Sequence, residues 1–181
     1  MKAILLSFLV FGGFVIKAQV NDSNKHTRNN FLTNKILINA LDGKPISFFL
    51  NHNGIDINVK RFYRGEIGIQ DDGVFREIMD GLIFSNSETQ PFYFFVFNQI
   101  VDLSHGKQEA TVANKCKEYV EEYPCEFFNS FNQPELNINV VKWTNYIGIS
   151  LKDKNNYAMF RTKVDSKIRA TCPGIQDLLK S

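Results

Sequence analysis

Histidine and cysteine are scarce in this sequence, three of each among 181 residues. His26, His52 and His105 fall in expected loops with no second ligand three or four residues away, and Cys116, Cys125 and Cys172 lack C-x-x-C spacing, so no metal site is expected. There is no G-x-S-x-G elbow, no G-x-x-x-x-G-K-[ST] phosphate loop and no G-x-G-x-x-G turn, and no cofactor is expected. Asp71-Asp72-Gly73 lacks the ligand series and closing glutamate of a calcium loop and reads as a helix cap.

Charge of one sign is also missing. The chain has 21 basic and 19 acidic side chains, and removal of Lys2 and Lys17 with an N-terminal leader leaves 19 of each. Nucleic-acid binding usually needs a concentrated positive footprint, so no nucleic-acid partner is expected. The one basic cluster with interleaved aromatics is Lys60, Arg61, Phe62, Tyr63 and Arg64. As a binding candidate, Arg61, Phe62, Tyr63 and Arg64 would grip an anionic glycan or an acidic protein patch. The plainer reading is a solvated helix end with two buried aromatics.

Beyond the N-terminus no apolar run approaches the roughly 20 residues that a membrane span requires, so the mature chain should have no transmembrane span. Residues 1–18 combine Lys2, an apolar stretch over 3–15 and Ala18 at the end, the pattern of a secretory signal peptide cleaved after Ala18. The expected address is the periplasm or the exterior. Residues 19–30 are polar and rich in asparagine, and read as a flexible leader with little to bury. Residues 31–181 then form one helical domain, since 44% hydrophobic content suffices for one sizeable core.

What is present is densest between residues 90 and 131. Proline suits the first turn of a helix, so one is expected to open at Pro91. Every residue from 92 to 97 is apolar and Ile100, Val101 and Leu103 follow, which places this helix inside a bundle. Ser104, His105 and Gly106 close it. Val112, Cys116, Tyr119, Val120 and Tyr123 then mark one face of a second helix, with Lys115, Lys117, Glu118, Glu121 and Glu122 on its solvated side. Pro124 stops it, and 125–131 read as a short turn presenting Phe127, Phe128 and Phe131.

Elsewhere, 31–41 read as a helix ended by Asp42, Gly43 and Pro45. Residues 46–62 fit two short helices broken at Gly54, or a small β-hairpin turning at Asn53-Gly54. An extended link over 65–70 leads to a helix over 73–84 capped by Asp71 or Asp72. Residues 140–151 keep helical spacing but also alternate in part like a strand. Tyr157, Phe160, Val164 and Ile168 outline a last long helix ending before Cys172. The expected fold is mainly all-α, a single irregular bundle of about six to eight helices.

An odd cysteine count in an oxidising compartment allows one bridge and leaves one thiol. Cys116 and Cys125 are separated by about two helical turns, roughly 10 Å, which disfavours that pair. Cys172 is expected to bridge Cys116 or Cys125, with Cys116 slightly preferred. Paired carboxylates of a glycosidase would have to face each other across a cleft. Glu118, Glu121 and Glu122 share one helix, as do Glu77 and Asp80, which leaves Glu66 with Glu126 as an example of a pair from different helices. A non-enzymatic binding or inhibitory protein of the bacterial envelope is therefore favoured, of an immunity type that neutralises a toxin or hydrolase, with another envelope or secreted protein as partner. The alternative is an exported hydrolase acting on cell-wall glycan or peptide. An inhibitor should carry an exposed binding patch, an enzyme a concave pocket with convergent acids or histidine.

Overall fold

The computed structural model describes residues 37–69 and 72–175. The expected signal peptide, the leader and residues 31–36 lie outside the described residues, as do 70–71 and 176–181. The architecture is a mainly α, irregular bundle with one two-stranded antiparallel sheet.

The sheet comes first. Strands β1 (Ala40–Leu41) and β2 (Lys44–Pro45) pair with Ala40 opposite Pro45 and Leu41 opposite Lys44. Asp42 and Gly43 both take positive φ, 51° and 71°, as a two-residue hairpin turn twisted to match its strands requires. The expected helix over 31–41 is thus corrected in its described part, where 37–41 approach and enter a strand. The hairpin of the fold lies at 40–45 rather than 46–62.

Helices α1 (Ile46–Asn51) and α2 (Ile57–Arg64) follow, and the Asn53-Gly54 turn joins them. The Asp56 carboxylate caps α2 by accepting from the Asn58 N–H at 2.6 Å. Gly65, at φ 80°, ends α2 by sending its N–H back to Phe62 and Arg61 carbonyls. Helix α3 (Asp72–Phe84) buries Val74, Ile78, Met79 and Leu82 and crosses close to α4 (Gln90–Leu103). A Cβ on Gly81 would stand 2.0 Å from the Tyr93 ring, so the absent side chain sets that approach.

Helix α4 is the centre of the molecule, and every residue from 92 to 101 is buried. After a 3-10 turn (Gly106–Gln108) come α5 (Glu109–Glu122), α6 (Pro124–Ser130), a second 3-10 turn (Pro134–Leu136), α7 (Val140–Leu151) and α8 (Lys154–Thr171). The expected turn over 125–131 is corrected to a helix through Ser130, because Pro124 acts as a start for α6 as well as a stop for α5. Residues 140–151 are helical throughout.

Aromatic packing joins these layers. Trp143 of α7 lies among Phe94, Phe97, Tyr119 and Phe127, with ring centroids 4.9 to 6.0 Å away. Phe94 stacks on Tyr119 at 4.7 Å. Helix α7 also serves the C-terminal end of α4, whose last carbonyls have no helical partner. The Lys142 ammonium donates to the carbonyls of Val101 and Asp102, and the Tyr146 hydroxyl donates to the Ser104 carbonyl at 3.0 Å. A cation at this end also suits the helix dipole.

Candidate functional site

The basic-aromatic cluster divides into two faces. On α2, Val59, Phe62 and Tyr63 share the inward face and are buried, as the plainer reading has it, so the binding candidate is corrected at Phe62 and Tyr63. The Tyr63 hydroxyl donates to the Ile38 carbonyl at 3.3 Å and holds the chain leading into β1. Arg61 and Arg64 face outward and converge on one carboxylate, Arg61 Nε 3.4 Å and Arg64 Nη1 4.0 Å from Glu66. Glu66 is thereby the counter-ion of this helix end. Glu126 lies on α6, where its charge is felt by Tyr119 and Tyr123.

A second group forms where α1 ends. His52 Nδ1 lies 2.9 Å from the Gly54 peptide nitrogen, and a peptide N–H can only donate, so Nδ1 is the acceptor and Nε2 carries the proton. That proton is directed at Glu88 Oε2, 3.3 Å away on the turn before α4. Lys44 approaches the other oxygen of Glu88 at 3.8 Å and lies 4.4 Å above the Phe48 ring. Beside this group is a shallow hollow of about 530 Å³ lined by Pro45, Ser47, Phe48, Asn51, His52 and Asn53. Both imidazole nitrogens are engaged, so neither is left over to take a proton from a substrate. The histidine fastens the α1–α2 turn to the α3–α4 turn. His105, by contrast, is on the surface, its Nδ1 2.9 Å from the Leu103 carbonyl. Among the described residues no three histidine, cysteine or acidic side chains are placed to hold a metal.

Cys125 and Cys172 form the disulfide, with Sγ atoms 2.04 Å apart, and tie the start of α6 to the end of α8. The slight preference for Cys116 as the partner is corrected. Cys116 points from α5 into the core, fully buried and reduced, where burial pushes its thiol well above the usual range.

Helix α8 is exposed along much of its length. Its second half is fastened three ways: Val164 and Ile168 are buried, Lys163 reaches Glu121 at 3.1 Å and Glu122 at 2.8 Å, and Lys167 reaches Glu122 at 2.9 Å. Those hydrogen bonds hold the Glu122 carboxyl down to about 2. Over 154–163, in contrast, no side chain is buried. The expected inward stripe weakens there, since Tyr157 and Phe160 are only half-buried while Met159 is 71% exposed. On the adjoining α7, Val141 and Ile149 are also exposed, eight residues apart and so on one side of that helix.

The α7–α8 corner is strained. Lys152 takes φ 55° and ψ −41°, and the Asp153 N–H reaches back to the Leu151 carbonyl at 2.6 Å. This is the tight three-residue turn of the rarer hand, in which a residue with a Cβ costs on the order of 1–3 kcal/mol. Asp153 then caps α8 by accepting from the Asn156 N–H at 2.9 Å. Sequence reasoning missed this corner because its signal is a lysine in an ordinary polar stretch. Comparison of the chain with family models, with curated proteins and with solved structures found no match.

Proposed function

We propose that this chain is an exported, non-enzymatic binding or inhibitory protein of the bacterial envelope, an immunity-type protein that neutralises a toxin or hydrolase reaching that space. The observation that carries this reading is the first half of α8: nine consecutive residues, 154–162, none of them buried, on a helix firmly anchored at its other end. Tyrosine, phenylalanine, methionine and arginine are the residues enriched at protein interfaces, and this stretch supplies Tyr157, Phe160, Met159 and Arg161. A rigid helix presenting such side chains loses little conformational freedom on docking.

Export is supported by the leader pattern of residues 1–18 and by the Cys125–Cys172 disulfide, which suits an oxidising compartment. Among the described residues, no helix is long and apolar enough to cross a membrane.

The test has two readouts. Intact mass of the protein recovered from the periplasm or medium should correspond to a chain beginning at Gln19. The purified mature protein should protect cells or isolated cell wall from an envelope-directed toxin or hydrolase, and should leave cell-wall glycan and peptide uncut when incubated alone. Turnover of cell-wall substrate by the wild type, abolished by a single carboxylate substitution, would replace this reading with that of a hydrolase.

A further inference from the structure

We propose that the α7–α8 corner is the docking surface, and that its occupant is an acidic protein surface that receives Met159 and Ile149 in an apolar depression rimmed by carboxylates. The inference rests on the binding reading above and specifies the partner's chemistry.

Charge is the first argument. Between 152 and 163 the chain carries Lys152, Lys154, Arg161 and Lys163 against the single acid Asp153, whereas the mature chain as a whole balances 19 against 19. The Asp153 carboxylate is directed at the amides of Asn156 as a helix cap. Lys163 is taken up by Glu121 and Glu122, and Arg161 stands 3.6 Å from Asp165. Among the described residues neither Lys152 nor Lys154 has an ion-pair partner, and an acidic partner would supply one.

The second argument is the identity of the corner residue. Glycine takes positive φ without steric cost, yet Lys152 occupies this position. A strained lysine there sets a cation at the turn, three residues after exposed Ile149 and seven before exposed Met159.

Two other occupants fit less well. A second copy docking about a two-fold axis would bring this cationic corner against itself or its near neighbours. Insertion into a lipid surface needs a broad apolar face, and Met159 is the one large apolar side chain of α8 that is mostly exposed.

The experiment uses the mature full chain and starts with a defined probe. Polyglutamate titrated into isotope-labelled protein should shift the amides of 149–163 and leave those of Arg61 and Arg64 in place. A photo-crosslinking residue is then placed at position 159, with position 84 as control, because Phe84 is comparably exposed on α3. In the cell envelope, position 159 should give a protein adduct whose crosslinked peptide is rich in aspartate and glutamate. Lys152→Glu with Lys154→Glu should cut its yield by tenfold or more with helical circular dichroism unchanged, and Met159→Ala in an otherwise wild-type chain should weaken the polyglutamate-independent capture. Four results would overturn the proposal: an adduct of twice the chain's mass, an adduct insensitive to charge reversal, sedimentation with phosphatidylglycerol vesicles in place of a protein adduct, or shifts confined to Arg61 and Arg64. A partner captured through position 84 alone would sink the corner and leave the binding reading standing. No adduct at either position, together with no protection in the toxin or hydrolase assay, would sink both.

Discussion

Trp143 on α7 donates its indole N–H to Oδ1 of Asn98 on α4 at 2.7 Å, and both side chains are buried. The indole donor is tolerated in an aromatic core because that oxygen receives it, while the Asn98 Nδ2 has no hydrogen-bond partner among the described residues. Asn98→Leu should therefore cost about 1–3 kcal/mol by stranding the indole donor. Trp143→Phe should cost a comparable amount, from the lost hydrogen bond and the space left by the smaller ring. The double variant should lose less than the sum, because neither stranded group remains. Urea denaturation of the four proteins measures this, and strictly additive losses would contradict the pairing.

Glycine substitutions should separate two sites by sign. Gly81→Ala drives a methyl into the Tyr93 ring and should cost about 1–3 kcal/mol as α3 and α4 are forced apart. Gly148→Ala, on the open side of α7 with nothing within 4 Å of its Cβ, should stabilise by up to about 1 kcal/mol through helix propensity. Thermal melts of both variants give the signs directly.

Acid should weaken the α5–α8 contact. The Glu122 carboxyl titrates at about 2 in the fold against an ordinary 4.5, so its contribution is complete above the ordinary value and is lost as pH falls toward 2. Glu122 is partly exposed, so solvent screening keeps the effect modest. The wild type should lose melting temperature between pH 5 and pH 2 more steeply than Glu122→Gln, with the two curves converging at the acid end. Parallel curves would mean that Lys163 and Lys167 do not hold that carboxylate in solution.

Thiol chemistry should distinguish the three cysteines. In native, non-reduced protein no thiol should react with maleimide, because Cys116 is buried and the other two are bonded. One should appear on denaturation and three after reduction, as mass spectrometry can count. Replacing Cys125 and Cys172 by serine should cost about 2–4 kcal/mol.

Lys152→Gly offers a test of strain. Removing the Cβ at φ 55° should raise stability by about 1 kcal/mol, seen as a rise in melting temperature. A fall would show that the lysine side chain contributes packing that offsets the backbone cost.

Periodic patterns in the sequence carried much of this fold. The central helix, its amphipathic successor and the long last helix were legible because apolar spacing is a local signal that burial later rewards. The hairpin at 40–45 was misread because Asp-Gly followed by proline ends a helix as readily as it turns two strands. The Tyr63 hydroxyl that holds the Ile38 carbonyl beside it is 25 residues away, beyond any local pattern. Distance also hid the His52–Glu88 pair, whose members are 36 residues apart. Helical rise alone disfavoured Cys116–Cys125, but choosing between Cys116 and Cys125 for Cys172 needed the packing of α6 against α8. The arginines of α2 were legible as a cluster, whereas their sharing of Glu66 depends on how the chain leaves Gly65.

The bond between Cys125 and Cys172 makes the segment from α6 to α8 a closed covalent ring. Tension applied beyond residue 172 passes straight to the head of α6 and bypasses everything between. A protease that cut once anywhere in 126–171 would open the ring without releasing a fragment. The surface of α8 could thus be nicked by a protease and stay tethered to the bundle that presents it.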